Sequence, residues 1–238
     1  MDEANQRGLA GVAFVAIWHD LAPEGLREFY EWHHREHMPE RLAIPGFRRG
    51  RRYLREAGNG QDYFNLYEVD NFDVLVGPDY LARLNAPTEW TRRAVAHFRN
   101  VTRGLCRVAG SAGIGQGGTM ATLRFAAAGG SEGELRGHLV RAALPALLER
   151  VGVLGAHLGW TDADGSRLET AEKRARGNPT DIPPWVLLVE GISAAHLRPA
   201  LDEILNDAVW LEHGAAAPPL TGIYRLEATR LKSAATAG

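Results

Sequence analysis

Two periods run through the hydrophobic pattern of this chain. The stretch VAFVAIWHD (12–20) is an apolar, β-prone run of the kind that forms a buried strand. From 23 to 38 the period becomes helical: Leu26, Phe29, Tyr30, His33 and His37 follow the i, i+3, i+4, i+7 stripe and share one face. Strand patterns return at GFRRGRRYL (46–54) and DYFNLYEV (62–69), a second helical region covers 73–98, and VTRGLCRVA (101–109) closes the series. Pro39 disfavours helical backbone at Met38, so the first helix is expected to stop there. His37 would then sit at a helix C-terminus, where the dipole raises an imidazole pKa.

The second half repeats this order. TMATLRFAA (119–127), GVLGAHLGW (152–160), WVLLVEGI (185–192) and LTGIYRLEATRL (220–231) read as strands, with helical segments at 131–151 and 194–207. Individual residues match in register. Pro39 and Gly46 pair with Pro145 and Gly152, and Leu66-Tyr67-Glu68 with Leu188-Val189-Glu190. Leu84-Asn85 pairs with Leu205-Asn206, and Gly104 and Arg107 with Gly222 and Arg225. The expectation is a tandem duplication of a ferredoxin-like β-α-β-β-α-β unit, an α+β fold. Repeat 1 spans 1–112 and repeat 2 spans 113–238, with GSAGIGQGG (110–118) as a flexible join.

A four-stranded sheet with helices on one face leaves its other face bare, and a second copy can cover it. The stretches FYEWHHREHMPERLAIPGFRRGRRY and YLARLNAPTEWTRR in the first half resemble the EthD-like and related branches of the dimeric α/β-barrel superfamily. There a helix ending in an E-H-x-P-E-type motif runs into a PGF strand. The resemblance implies that two antiparallel sheets pair into one barrel. It leaves open whether they do so within one chain or across a homodimer. Its functional reach is broad, because the superfamily includes isomerases, cofactor-free monooxygenases and haem enzymes.

Composition narrows the partners. The formal charge is −2, and 45% of residues are hydrophobic, values of an ordinary globular chain that does not bind nucleic acid or an anionic membrane through bulk charge. Cys106 is the single cysteine, which excludes an intrachain disulfide and cysteine-rich zinc sites. No apolar run is long enough to cross a bilayer. MDEANQRGLAG lacks the basic-then-apolar order of a secretory signal, so a cytoplasmic location is expected, and KSAATAG reads as a disordered tail.

The candidate chemistry lies in WHHREHMPE (32–40). His33 and His37 face the sheet, His34 and Arg35 face away, and Glu40 follows a turn later, within reach of orienting an imidazole. The corresponding residues of repeat 2 are Leu139, Ala143 and Ala146, so the fold does not need polar groups there. His37 is the expected general acid–base, assisted by His33 or Glu40. A metal held by these three is disfavoured, since zincin-type spacing places Glu directly after the first His and His34 stands there instead. No cofactor is therefore expected, with metal or haem at His37 as the alternative.

In RRGRRYLR, alternation sends Arg49 and Arg51 to one sheet face and Arg52 to the other. Arg52 or Arg49 is the expected clamp for an anionic substrate, weighed against plain ion pairing with Glu68, Glu190 or Glu227. Tyr67, Trp18 and Tyr30 are candidates to line the pocket or, equally, to fill the core. Cys106 lies mid-strand and reads as inert, and the glycines of 110–118 lack the strand-then-helix context of a dinucleotide site. The polar insert 161–183 has no counterpart of its length in repeat 1 and reads as a loop, a lid or a surface excursion. The expected function is a small-molecule site, an enzyme of isomerase, cyclase, lyase or monooxygenase type acting on an anionic or enolisable substrate. The alternative is a non-catalytic ligand-binding or stress-associated barrel protein. A cavity reached by His37 and an arginine favours the first; imidazoles sealed against backbone carbonyls would sink it.

Overall fold

The computed structural model describes residues 8–232. Strands β1 (Ala13–Leu21), β2 (Phe47–Gly58), β3 (Tyr63–Val69), β4 (Phe98–Ala112), β5 (Thr119–Phe125), β6 (Val153–Thr161), β7 (Trp185–Gly191) and β8 (Leu220–Leu231) form one closed barrel. Its order is β1-β3-β2-β8-β5-β7-β6-β4, every pairing antiparallel. The first four strands therefore stand in the order 4-1-3-2 and the last four in the order 8-5-7-6, joined edge to edge by β2 with β8 and by β4 with β6. Closure is completed within one chain, which answers the question that the sequence left open. The fold is mixed α+β, a closed eight-stranded antiparallel barrel clad in helices.

The pleat sorts side chains into two compartments. Phe14, Trp18, Tyr53, Phe64, Leu66, Met120, Leu188 and Tyr224 fill the barrel interior. With them lie Arg49, Arg51, Glu68 and Glu190, all almost fully buried. The opposite sheet faces carry two separate helical layers.

Helix α1 (Leu26–Trp32) does not stop before Pro39. A single π-turn over His33–His37 carries it into α2 (Met38–Ala43), with the Met38 N–H donating to the His33 carbonyl five residues back. The wider turn relieves the clash between a proline ring and the carbonyl four residues earlier, so the helix continues where a regular one would break. The second half repeats the device: α6 (Glu132–His138) passes through a π-turn at Leu139–Ala143 into α7 (Leu144–Leu148), across Pro145. After each helix the chain turns through a glycine at positive φ, Gly46 at 85° and Gly152 at 84°.

The second helical region divides into α3 (Asp73–Val76), α4 (Pro78–Asn85) and α5 (Glu89–Val95), where Thr88 caps α5 by accepting from the Thr91 N–H at 2.9 Å. The insert folds into α8 (Ala163–Arg167) and α9 (Ala171–Arg176), and α10 (Ala194–Ile204) and α11 (Asp207–Glu212) cover the second sheet. The glycine-rich join is packed rather than loose. Residues 110–112 belong to β4 and pair with β6. A Cβ on Gly117 would lie 2.0 Å from the Gly191 carbonyl oxygen, so only glycine allows that approach. Among the described residues no helix is long and apolar enough to cross a membrane. The first seven residues and residues 233–238, all of the KSAATAG tail but Lys232, lie outside the described residues.

Candidate functional site

The π-turn sets His33 and His37 over the outward face of the first sheet, 2% and 6% exposed, with ring centroids 5.4 Å apart. Beneath them is a cavity of about 40 Å³ lined by both imidazoles, Trp32, Asn65, Tyr67 and Tyr80, and by Arg41, Arg103, Glu172 and Arg176. Neither imidazole is sealed against a backbone carbonyl.

Hydrogen bonds assign the tautomers. Arg52 Nη1 lies 3.4 Å from His33 Nδ1 and can only donate, so Nδ1 accepts and Nε2 carries the proton. Nε2–H then donates to Tyr67 Oη at 3.1 Å, which leaves the Tyr67 hydroxyl proton free for another acceptor. Deeper in the sheet, His19 Nδ1–H donates to the Asp20 carbonyl at 3.3 Å, and its Nε2 accepts from Asn65 Nδ2 at 3.1 Å. Asn65 Oδ1 is thereby left without a partner, and so is His37 Nδ1, whose ring rests against Trp32 at 4.3 Å.

Electrostatics reverse the expectation for His37. The helix does not end at residue 38, so the imidazole gains no C-terminal dipole. Burial, reinforced by the Arg41 guanidinium and by His33, holds its pKa well below 6.5. His33 is depressed in the same way by burial and Arg52, and burial takes His19 down to about 3. All three are neutral near pH 7, so His37 is a base or a hydrogen-bonding group rather than a standing imidazolium. Burial also raises the Tyr67 phenol and keeps it protonated.

The other sequence candidates divide. Arg52 stays on the helical side, with Nε donating to Glu227 Oε2 at 3.1 Å and the guanidinium 4.5 Å from the Tyr30 ring. Tyr30 itself donates to Glu227 Oε1 at 3.0 Å, so both form a bracket behind His33 rather than a cavity wall. Arg49 points into the barrel, where it donates to Glu68 at 2.8 Å, and Arg51 pairs with Glu68 at 2.9 Å and Glu190 at 3.0 Å. Trp18 also lies inside the barrel, donating to Thr122 Oγ1 at 3.0 Å. Glu40 pairs with Arg83 at 3.1 Å instead of orienting His37, because the wide turn rotates it toward α4. The His33, His37 and Glu40 ligand set is consequently not assembled. Among the described residues no cluster of three or more histidine, cysteine or acidic groups could hold a metal. Cys106 is fully buried and its thiol is pushed up to about 12, which leaves it unreactive.

Sequence reasoning missed His19, Arg41, Asn65, Arg103, Glu172 and Arg176. For the first three the signal was present, since strand register and helix spacing set them against Phe125, Leu147 and Leu187 in the second half. Glu172 and Arg176 lie in the insert, which has no counterpart for comparison. That insert is neither loose nor remote. Asn85 Oδ1 accepts from the Ala171 N–H at 3.1 Å, Asp181 bonds to β4 at Val101 and Arg103, and Glu172 forms an ion pair with the buried Arg41. A segment of the second half thus roofs the cavity of the first.

No family model and no curated protein matches the chain. Solved structures do match its fold along nearly its whole length. An anthrone oxidase-like protein is 13% identical over 97% of this chain and 98% of its own, with a TM-score of 0.59. A candidate monooxygenase from Lactobacillus acidophilus is 8% identical over 93% and 96%, with a TM-score of 0.57. A candidate chlorite dismutase is 10% identical over 91% and 95%, with a TM-score of 0.54. At such identities the likeness shows the fold alone, the closed antiparallel barrel with its helical layers.

The same comparison corrects the expectation that no cofactor is involved. The solved structures that share the fold include the chlorite dismutase candidate. That expectation is withdrawn. The residues here nevertheless do not fit a haem. The space beside His37 is about 40 Å³, against roughly 300 Å³ or more for a drug-sized ligand, and Trp32 covers the imidazole. No step is routed through haem.

Proposed function

We propose that the protein binds a small anionic or enolisable molecule beneath the His33–His37 turn and moves a proton on it, with His37 as general acid–base. One observation carries this reading. The first half buries a connected polar set at positions that the second half fills with leucine, valine, alanine and phenylalanine. Buried polar groups without partners cost stability, here at His37 Nδ1, Asn65 Oδ1 and Arg41 Nη1, and the fold has an apolar solution for the same places. A neutral imidazole with an unengaged nitrogen suits proton abstraction beside a carbonyl. The free hydroxyl proton of Tyr67 suits the oxygen on which charge would develop. His33 positions Tyr67, and Arg52 with Glu227 and Tyr30 positions His33. For an enolisable substrate, isomerisation, cyclisation, elimination and oxygenation by dioxygen can each start from such a proton transfer, and the enzyme names of the similar structures support a catalytic role.

We read 1–112 and 113–238 as tandem copies of a ferredoxin-like unit, the first keeping the site and the second serving as its half-barrel partner. The paired π-turns, the matched glycines and the matched strand orders support this, and the EthD-like resemblance of the first copy fits it. A homodimer would add an interface outside a barrel that is already closed, and we read the enzyme as cytoplasmic.

The test is α-proton exchange followed by NMR in D2O on a panel of small keto acids and ketones. Exchange by the wild type that is lost in His37→Leu supports the proposal. A panel that shows no exchange, together with histidine signals unmoved by any member, overturns it. The closed roof favours a second reading, ligand binding without turnover, for which the histidine signals would move and no proton would exchange.

A further inference from the structure

The cavity carries more positive charge than its surroundings balance. Arg41 of α2, Arg103 of β4 and Arg176 of α9 reach it, against the single carboxylate of Glu172, and the histidines are neutral. Arg41 is 3% exposed; one arm of its fork holds Glu172, and the other, Nη1, has no partner. Arg103 spends Nη2 on the Tyr80 hydroxyl at 3.0 Å. Arg176 gives Nη2 to Thr180 at 2.6 Å, and its Nε is unpaired. Among the described residues neither Arg103 nor Arg176 has a carboxylate within ion-pairing distance. Burial and the neighbouring Arg103 pull the Arg176 guanidinium down to about 10, the behaviour of a cation short of a counter-ion.

Glu172 differs from the other acidic partners in the molecule. It sits on the roof helix α9, which besides the Arg41–Glu172 pair is joined to the first half by packing, the Asn85 cap, the Asp181 bridge and Asn178 Nδ2 donating to the Phe98 carbonyl at 2.8 Å. Its carboxylate takes one arm of a planar fork that would suit other carboxylates as well. The remaining space, about 40 Å³, holds a water or two and no organic acid, so a ligand must displace something from the roof.

We propose that Arg41, Arg103 and Arg176 form a carboxylate-binding subsite that Glu172 occupies in the resting protein, so that a carboxylic acid ligand enters by exchanging for Glu172 on Arg41. The substrate class of the site is then a small carboxylic acid, with its carboxylate under α9 and its reacting carbon toward His37. This rests on the reading of the His37 cavity as a ligand site. The sequence assigned the anion clamp to Arg49 or Arg52. Those two are satisfied by Glu68 and Glu227, whereas Arg41 and Arg176 retain free donors.

The experiment titrates full-length protein carrying labelled histidine with acetate and benzoate, and with acetamide and benzamide as uncharged counterparts, reading dissociation constants from the His33 and His37 signals. The acids should bind at least about tenfold more tightly than the amides, as a charge-assisted fork requires. Glu172→Gln should tighten the acids by about tenfold by replacing the competing carboxylate on Arg41 with a weaker, uncharged acceptor, and leave the amides within about twofold. Arg103→Gln and Arg176→Gln should each weaken the acids alone; neither has a carboxylate partner to lose, so folding is retained. Acids and amides that bind equally, or a Glu172→Gln that weakens the acids, would overturn the subsite and leave the cavity reading standing. Failure of all four probes to move either histidine signal would overturn both.

Discussion

The two halves of the barrel lay the same kinked helix over the same sheet and fill the gap beneath it differently. Strand register sets Phe14 opposite Glu68 in one half and Met120 opposite Glu190 in the other, which fixes the correspondence. In the second half Leu123, Phe125, Leu139, Ala143, Leu147, Leu187 and Val189 close into one dry cluster. The first half has Ile17, His19, His33, His37, Arg41, Asn65 and Tyr67 in those places. The backbone tolerates both fillings, so architecture does not demand the polar one. What the two halves share, the π-turn across the proline and the positive-φ glycine after it, belongs to the fold. What only the first half has beneath that turn is the polar set of the candidate site.

The sharpest way to break this comparison is to exchange residues between the halves. Leu147→Arg puts into the dry half the residue that Arg41 supplies in the other. No carboxylate stands ready there, so the expected loss is about 4 kcal/mol or more in urea unfolding. Retention of full stability would show that the second gap is not the closed core described.

The next effect is read against pH. Burial depresses the folded-state pKa of His33 and His37 below 6.5, so the unfolded chain takes up their protons first as the solution is acidified. Stability is therefore complete above about 6.5 and falls as pH drops below it, by about 1.4 kcal/mol per pH unit for each such histidine. Replacing both by leucine should remove about 2.7 kcal/mol per unit from the slope between pH 6 and 5, measured by unfolding at fixed pH values. An unchanged slope would mean that the imidazoles titrate freely in the folded protein.

Taken alone at neutral pH, His37→Leu should raise stability by about 1 kcal/mol, because it removes a buried nitrogen that has no partner, while ligand binding disappears. A destabilised variant would mark His37 as structural. The smallest effect is expected for Glu40→Gln, which loses a partly exposed pair with Arg83: within about 0.5 kcal/mol, with α-proton exchange unaffected.

The eight strands, the helices between them and the placement of His33 and His37 against the sheet were legible because periodicity and register are local properties of the sequence. The helix end at Pro39 was misread because a local rule treats proline as a terminator, and one widened turn satisfies the same stereochemistry without ending the helix. That misreading carried the His37 pKa in the wrong direction. Arg49 and Trp18 could not be assigned to a compartment by alternation alone, since either sheet face could have been the inner one until the barrel closed. Comparing the halves position by position exposes Arg41 and Asn65 as readily as it exposed His37. Glu172 and Arg176 are different: only tertiary packing brings an insert of one half over the cavity of the other.

The most direct measurement is a crystal structure of the protein grown with benzoate and, separately, with a small aliphatic keto acid. The expected result is ordered density between His37 and the Arg41–Arg103 pair, with Glu172 withdrawn from Arg41. Density for the acids elsewhere only, over a gap still closed by Glu172 at saturating concentrations, would contradict the assignment of this gap as the site.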